Sequence, residues 1–160
     1  MSFLISSKFL NDNSPLTPRD AVAAIIENDK KQFLLQLRDN KEGIFFPNHW
    51  GLFGGAIEDG ESEKFALKRE LKEELGLSFP HEIMKKLFRV ELGFTPNQRL
   101  IKRYFYHLQF KAIPDTKLKL NEGSQAKFFD ADACLSIPNF TPYDKYAIWV
   151  YLNQHRISLE

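Results

Sequence analysis

Residues 55–77 read GAIEDGESEKFALKRELKEELGL. Glu58-Asp59-Gly60 turns the chain into a predicted helix from about Ser62 to Leu75, and Gly76 closes that helix as a C-terminal cap. At 3.6 residues per turn Glu70, Glu73 and Glu74 fall at i, i+3 and i+4, and Glu63 falls two turns back on nearly the same line. The spacing therefore predicts four carboxylates on one face. Like charges so placed cost roughly 0.2–0.5 kcal/mol per pair on an exposed helix, so stacking them gains nothing in stability unless cations are bound. Hard oxygen ligands select Mg²⁺ or Mn²⁺. Leu67, Leu71 and Leu75 form the adjacent stripe, predicted to face the core, so the carboxylates border the buried side rather than open water. Arg69, one turn before Glu73, has the fork to hold a carboxylate by a bidentate pair. Ahead of the helix, Gly54-Gly55 lets the backbone approach a metal or phosphate closely.

Working outward, Leu52 to Ile57 is apolar and interrupted by the two glycines, which predicts a short strand, a tight bend and a second short strand. Upstream, Ala21 to Glu27 and Gln32 to Arg38 read as a strand hairpin around Asn28-Asp29-Lys30, and Asp39 to Trp50 reads as a long loop. Downstream, Ile83 to Phe94, Leu100 to Ala112 and Ala126 to Phe129 have the β-branched and aromatic content of strands. Thr141-Pro142 opens a final amphipathic helix running to Asn153. Residues 1–18 are predicted to form an N-terminal arm, and residues 19–160 a single α/β domain built on a mixed β-sheet with helices following it.

At 160 residues the chain is long enough to bury roughly 70% of its unfolded surface around one core. A hydrophobic share of 43%, a charged share of 27% and fifteen phenylalanines describe a globular chain with an aromatic-rich core. The lone Cys134 excludes an internal disulfide, and Met1 to Leu10 lacks the basic start and apolar run of a signal peptide, so a cytoplasmic location is expected. No stretch approaches the ~20 apolar residues of a membrane span, and a net charge of +1 argues against membrane surfaces and long nucleic acids as partners.

Gly55, Glu61, Arg69, Glu70, Leu71, Glu73, Glu74, Gly76 and Leu77 together carry a further message. Average residue usage would place these nine by accident in on the order of one chain in ten million. The pattern resembles the Nudix box at every defined position, the signature of hydrolases that cleave a nucleoside diphosphate linked to another moiety. The resemblance implies an α/β/α sandwich and a small-molecule nucleotide substrate. It implies Mg²⁺ or Mn²⁺ held by Glu70, Glu73 and Glu74, with the Gly54 carbonyl as a further ligand and Arg69 orienting the acidic cluster. A carboxylate outside the box commonly completes such a site. Glu122, in the turn Leu120-Asn121-Glu122-Gly123-Ser124, resembles the Glu-Gly element of the nucleotide-sanitising branch, with Asp115 a weaker competitor. Two or three cations would bind the diphosphate and activate a water for in-line attack on phosphorus. Glu70 is the candidate for assisting proton removal.

The moiety beyond the phosphates is recognised outside the box. Candidates are Gly55, then Phe46, Trp50 and Phe53 before the helix and Phe140 and Tyr143 after it, with Asn139 as a reader of a base edge. Lys102 and Arg103 alternate on one predicted strand, so only one of them points at the site; Arg103 is the candidate. Leu34-Leu35-Gln36-Leu37-Arg38 resembles an upstream element of coenzyme A pyrophosphatases, but Phe46 to Trp50 does not continue it. Neither the proline spacing of ADP-ribose pyrophosphatases nor the tyrosine spacing of dinucleoside polyphosphate hydrolases is found. Nucleoside triphosphates and nucleotide sugars stand as the expected substrates. The alternative, a domain that senses a nucleotide derivative without turnover, tends to go with lost box residues, and none is lost here. A transfer or isomerisation reaction on a lipid diphosphate needs a cysteine and histidines that have no counterpart. Family members are often homodimers, and the sequence does not decide that point.

Overall fold

The computed structural model describes residues 19–41, 43–93, 100–110 and 120–157. The predicted arm at residues 1–18 and Asp115 lie outside these residues. Six strands form one mixed sheet: β1 (Ala21–Asn28), β2 (Phe33–Leu37), β3 (Trp50–Gly51), β4 (Lys85–Leu92), β5 (Ile101–Phe110) and β6 (Gln125–Phe129). Their order is β3-β2-β1-β5-β4, with β6 also paired to β2. β1 and β5 run parallel from Ala21↔Arg103 to Asn28↔Phe110, and every other pairing is antiparallel.

Helix α1 (Glu63–Leu75) covers one face, and α2 (Ala131–Ser136) and α3 (Pro142–Asn153) cover the other. The central strand explains its own sequence. Val22, Ala24 and Ile26 pack under α1, while Ala23 and Ile25 pack under α2 and α3, so both faces of β1 are dry and the strand reads as a continuous apolar run instead of an alternation. Leu67, Leu71 and Leu75 are fully buried against the sheet, each contributing on the order of 2 kcal/mol. The α/β/α sandwich expected from the sequence is the observed architecture.

Helix α1 starts where its sequence says it should. Ser62 is extended and its hydroxyl accepts a hydrogen bond from the Phe65 amide, and Gly76, at φ 66°, donates its amide to the Lys72 carbonyl. Upstream the prediction needs correction. The regular strand is Trp50–Gly51, whereas Leu52 to Ile57 makes only single bridges, Phe53 to Ala24 and Ala56 to Ala21. Those bridges matter because β2 pairs with β1 only near Ile26 and Glu27. The first half of β1 is instead closed by the glycine segment: Val22 donates to the Gly55 carbonyl and Ala24 to the Phe53 carbonyl, each at 2.9 Å. The glycine loop is thus part of the sheet.

Candidate active site

Gly54 and Gly55 do different jobs. Gly54 has φ 132°, and a Cβ there would stand 2.2 Å from the Val22 carbonyl oxygen. A Cβ on Gly55 would instead meet the Glu70 carboxylate at 2.5 Å, so this glycine makes room for Glu70. Gly54→Ala is expected to cost about 3 kcal/mol or more in urea denaturation, because strain and a backbone clash add. Gly55→Ala should fold nearly as well yet lose about 10–100-fold in kcat/KM by displacing Glu70. Equal stability losses for the two would overturn this division.

On α1, Arg69 gathers the acidic residues. Its Nε and Nη2 form a fork on both Glu61 oxygens at 3.1 and 2.9 Å, Nη1 donates to Glu70 at 2.8 Å and Glu73 at 3.2 Å, and Nη2 also reaches the Ala56 carbonyl at 2.9 Å. The bidentate partner is Glu61, a box position to which the sequence reading gave no role. The guanidinium holds the Glu61 carboxyl below the ordinary carboxylate range. Glu63 does not join the predicted acidic face. It accepts from Tyr106 and pairs with Lys86 across β4 and β5, because at the first turn of the helix its side chain reaches the neighbouring strands.

Glu74 is buried on the core side of the stripe. Its two oxygens accept from the Gln36 amide and from the Gly54 N–H, each at 2.8 Å. Both donors are neutral. Burial pushes this carboxyl up to about 8 against the pull of those two bonds, and the nearby Glu70 and Glu122 push the same way. Burial likewise raises Glu70, opposed by Arg69.

Glu122 arrives from far away in sequence. Asn121 clips its turn to the last turn of α1, donating its backbone N–H to the Glu74 carbonyl and its side-chain amide to the Glu73 carbonyl, both at 2.9 Å, while Ser124 N–H reaches Leu37 on β2. Asn121→Ala should cost about 1 kcal/mol of stability and weaken whatever Glu122 contributes, seen as a tenfold rise in the Mg²⁺ concentration for half activity. An unchanged Mg²⁺ dependence would show the clip to be structural only.

Glu70, Glu74, Glu122 and Gly54 line one cavity of about 550 Å³ together with Gln36, Arg38 and Lys41. Glu73 lies outside it, half-exposed and bonded to Arg69. Among the described residues no three acidic, imidazole or thiol side chains are gathered closely enough to ligate one ion as they stand. Glu70 and Glu73 are turned onto Arg69, and Glu74 onto Gln36 and Gly54. The donor set nonetheless suits a hard divalent cation. It consists of carboxylate oxygens, it places a buried carboxyl beside two others, and both hydrogen bonds to that carboxyl come from neutral donors.

A second cavity, of about 340 Å³, adjoins the first across Gly54, Gly55 and Arg38. Arg103 and Tyr143 line it, the guanidinium carbon lying 4.3 Å from the centre of the tyrosine ring. Arg103 is the member of its strand pair that faces the site. It donates to Asp144, a fully buried carboxylate that also accepts from Leu52 N–H at 3.0 Å and the Thr141 hydroxyl at 2.7 Å. Asp144 thereby ties β5, the entry to the glycine loop and the start of α3 together.

Several aromatic candidates are elsewhere. Phe53 is fully buried under α1 and Phe140 is buried beside Cys134 and Ile148, so both are core side chains and not ligand contacts; their apolar area is worth more against the sheet. Trp50 packs edge-on against Phe129. Asn139 donates to the Asn48 carbonyl and its own carbonyl accepts from Trp50 N–H, which fixes a loop. Phe46 lines neither cavity but braces Tyr143, ring centres 5.7 Å apart. The sequence reading missed Gln36, Arg38, Lys41 and Asp144. Only Gln36 carried a signal, since a polar residue in an otherwise apolar, buried strand needs a partner.

A sandwich that buries one glutamate of a helical acidic cluster beneath a glycine loop defines a class before any comparison is made. The family model described as NUDIX domain matches residues 17–149. The chain belongs to the Nudix family. Over 58 residues it is 45% identical to nucleoside triphosphatase NudI of Salmonella arizonae, a segment that covers 36% of this chain and 40% of that protein. The match therefore spans well under half the length of such curated relatives. The MutT protein from Methanosarcina mazei Go1 superposes with a TM-score of 0.71 at 20% identity, over 89% of this chain and 100% of that one. The Escherichia coli dihydroneopterin triphosphate pyrophosphohydrolase gives 0.66 at 19% identity, over 86% and 99%. These two likenesses establish the fold. Among the described residues no helix is long and apolar enough to cross a membrane.

Proposed function

We propose that this protein is a cytoplasmic, Mg²⁺- or Mn²⁺-dependent pyrophosphohydrolase that cleaves a diphosphate linkage in a nucleoside triphosphate or nucleotide sugar. The observation that carries the reading is the grouping of Glu70, Glu74 and Glu122 around one cavity beneath Gly54, with Arg69 holding the neighbouring carboxylates. The nucleoside triphosphatase named among its relatives supports a triphosphate as first candidate. Nudix hydrolases generally use divalent cations, and here Glu70, Glu73, Glu74, Glu122 and the Gly54 carbonyl would hold them. When bound, the cation neutralises phosphate charge and lowers the pKa of an attacking water.

The chain's own groups do the rest. Arg69 releases or retains Glu70 and Glu73 by exchanging guanidinium bonds, which sets how many carboxylates face the cavity. Gln36 and the Gly54 N–H fix both oxygens of Glu74, so that this group needs no reordering when substrate enters. Glu70, partly buried and with its carboxyl pKa raised by that burial, accepts the proton of the attacking water. Arg38 and Lys41 line the same cavity and meet the phosphate oxygens.

The test is release of phosphate or pyrophosphate from nucleoside triphosphates, nucleotide sugars, ADP-ribose, dinucleoside polyphosphates and coenzyme A, with Mg²⁺ or Mn²⁺, beside Glu73→Gln. Metal-dependent turnover of one class, reduced by orders of magnitude in the variant, is the expected result. Tight nucleotide binding without turnover on any member would replace the hydrolase by a sensor.

A further inference from the structure

The second cavity carries more positive charge than the described residues around it neutralise. Arg19, Arg38 and Arg103 all line it. Arg103 is paired with Asp144, yet its Nε is buried without a hydrogen-bond partner among the described residues. Arg38 gives its Nε to the Phe45 carbonyl at 2.8 Å. Among the described residues no carboxylate lies within ion-pair distance of Arg19 or Arg38. The glutamates of the neighbouring cavity do not remove this surplus once cations neutralise them. The rest of the wall includes Ile44, Leu92 and Ile101, and the space is near the lower end of small-molecule sites, enough for a sugar or a base and not for a polymer.

A guanidinium has five donors and no acceptor, so this wall matches an acceptor-rich group and offers nothing to an amine. A neutral occupant would leave Arg19 without a counter-charge and the Arg103 Nε without an acceptor. An oxyanion would supply both, by charge-assisted bonds to Arg19 and Arg103, with Arg38 at the boundary between the two cavities. We propose that the arginine-lined cavity binds an oxyanion, a phosphate or a carboxylate, which the substrate carries beyond the hydrolysed diphosphate linkage, so that the protein selects nucleotides bearing that extra charge. The proposal rests on the hydrolase reading above and deepens it into a substrate class.

The experiment uses two matched pairs with the full chain in Mg²⁺: UDP-glucuronate against UDP-glucose, and UTP against UDP. For each nucleotide kcat/KM is measured, with calorimetric Kd alongside, for the wild type and for Arg19→Gln, whose site is exposed. The charged member of at least one pair should be favoured by about tenfold or more, and Arg19→Gln should narrow that ratio about threefold or more. A preference confined to the first pair assigns a carboxylate, and one confined to the second assigns a terminal phosphate. Ratios near one in both pairs, or a ratio that Arg19→Gln leaves intact, overturn the cavity assignment while the hydrolase reading stands. If none of these four is turned over, the calorimetric ratios decide the anion preference by themselves, and the hydrolase reading is decided by the wider nucleotide panel above.

Discussion

Glu74→Gln is expected to lower kcat/KM of the best substrate by about three orders of magnitude, or about 4 kcal/mol of transition-state stabilisation, because it removes the one fully enclosed carboxylate of the cluster. The same substitution should change how stability depends on pH. The Glu74 carboxyl ionises near 4.5 in the unfolded chain and is pushed up to about 8 by burial in the fold. Between those values the folded protein keeps a proton that the unfolded chain has released, so the free energy of unfolding falls as pH rises. Burial shifts Glu70 in the same sense. Glu61 is shifted down, and its contribution is already complete above its unfolded value of 4.5, so it does not oppose the trend. The metal-free wild type should therefore melt lower at pH 8 than at pH 6. Each pKa unit is worth about 1.4 kcal/mol, which is about 3–5 °C in Tm for a chain of this size. Mg²⁺ should abolish the difference, and Glu74→Gln should remove most of it. A wild-type Tm that is flat from pH 6 to 8 without metal would mean that Glu74 is ionised in the fold.

The second large effect belongs to Arg69. Arg69→Ala removes the fork on Glu61, the bonds to Glu70 and Glu73, and the bond to the Ala56 carbonyl. Glu61 and Glu70 are mostly buried and would be left without a cation, a situation that costs about 2–4 kcal/mol. Denaturant midpoints should show that loss, and kcat/KM should fall about a hundredfold as the carboxylates spread. Arg69→Lys keeps the charge but has no planar fork, so it should recover less than half of either effect. Full recovery by lysine would reduce the role of Arg69 to charge alone.

How far the sequence carries the reader depends on the range of the interaction. Helix α1 was legible to within a residue, because its Ser62 cap, leucine stripe and Gly76 stop are all local. Of the predicted acidic face, Glu70 and Glu74 line the cavity, whereas Glu73 lies outside it on Arg69 and Glu63 bonds to Tyr106 and Lys86 on other strands. Helix α2 was missed because six residues hold too little periodicity to register. Leu52 and Phe53 have the composition of a strand, but the glycines that follow divert their backbone to single bridges. Phe53 and Phe140 could not be told from ligand contacts, since an aromatic side chain has the same local signature in a core and in a pocket. Asn121 and Asp144 were silent. Each acts by joining segments distant in sequence, and nothing in its own neighbourhood records the partner.

The bonds from β1 to the glycine segment have a consequence for exchange with solvent. A loop that carries an active site ordinarily opens far more often than the core. Here the amides of Val22 and Ala24 are donated to the carbonyls of Gly55 and Phe53, inside the strand that both helical layers cover. Deuterium should enter these two amides as slowly as it enters the amides between β1 and β5, and opening of the loop should be read out at Val22 and Ala24 rather than at its own tip. The segment that would meet the phosphates is held by a strand buried on both of its faces.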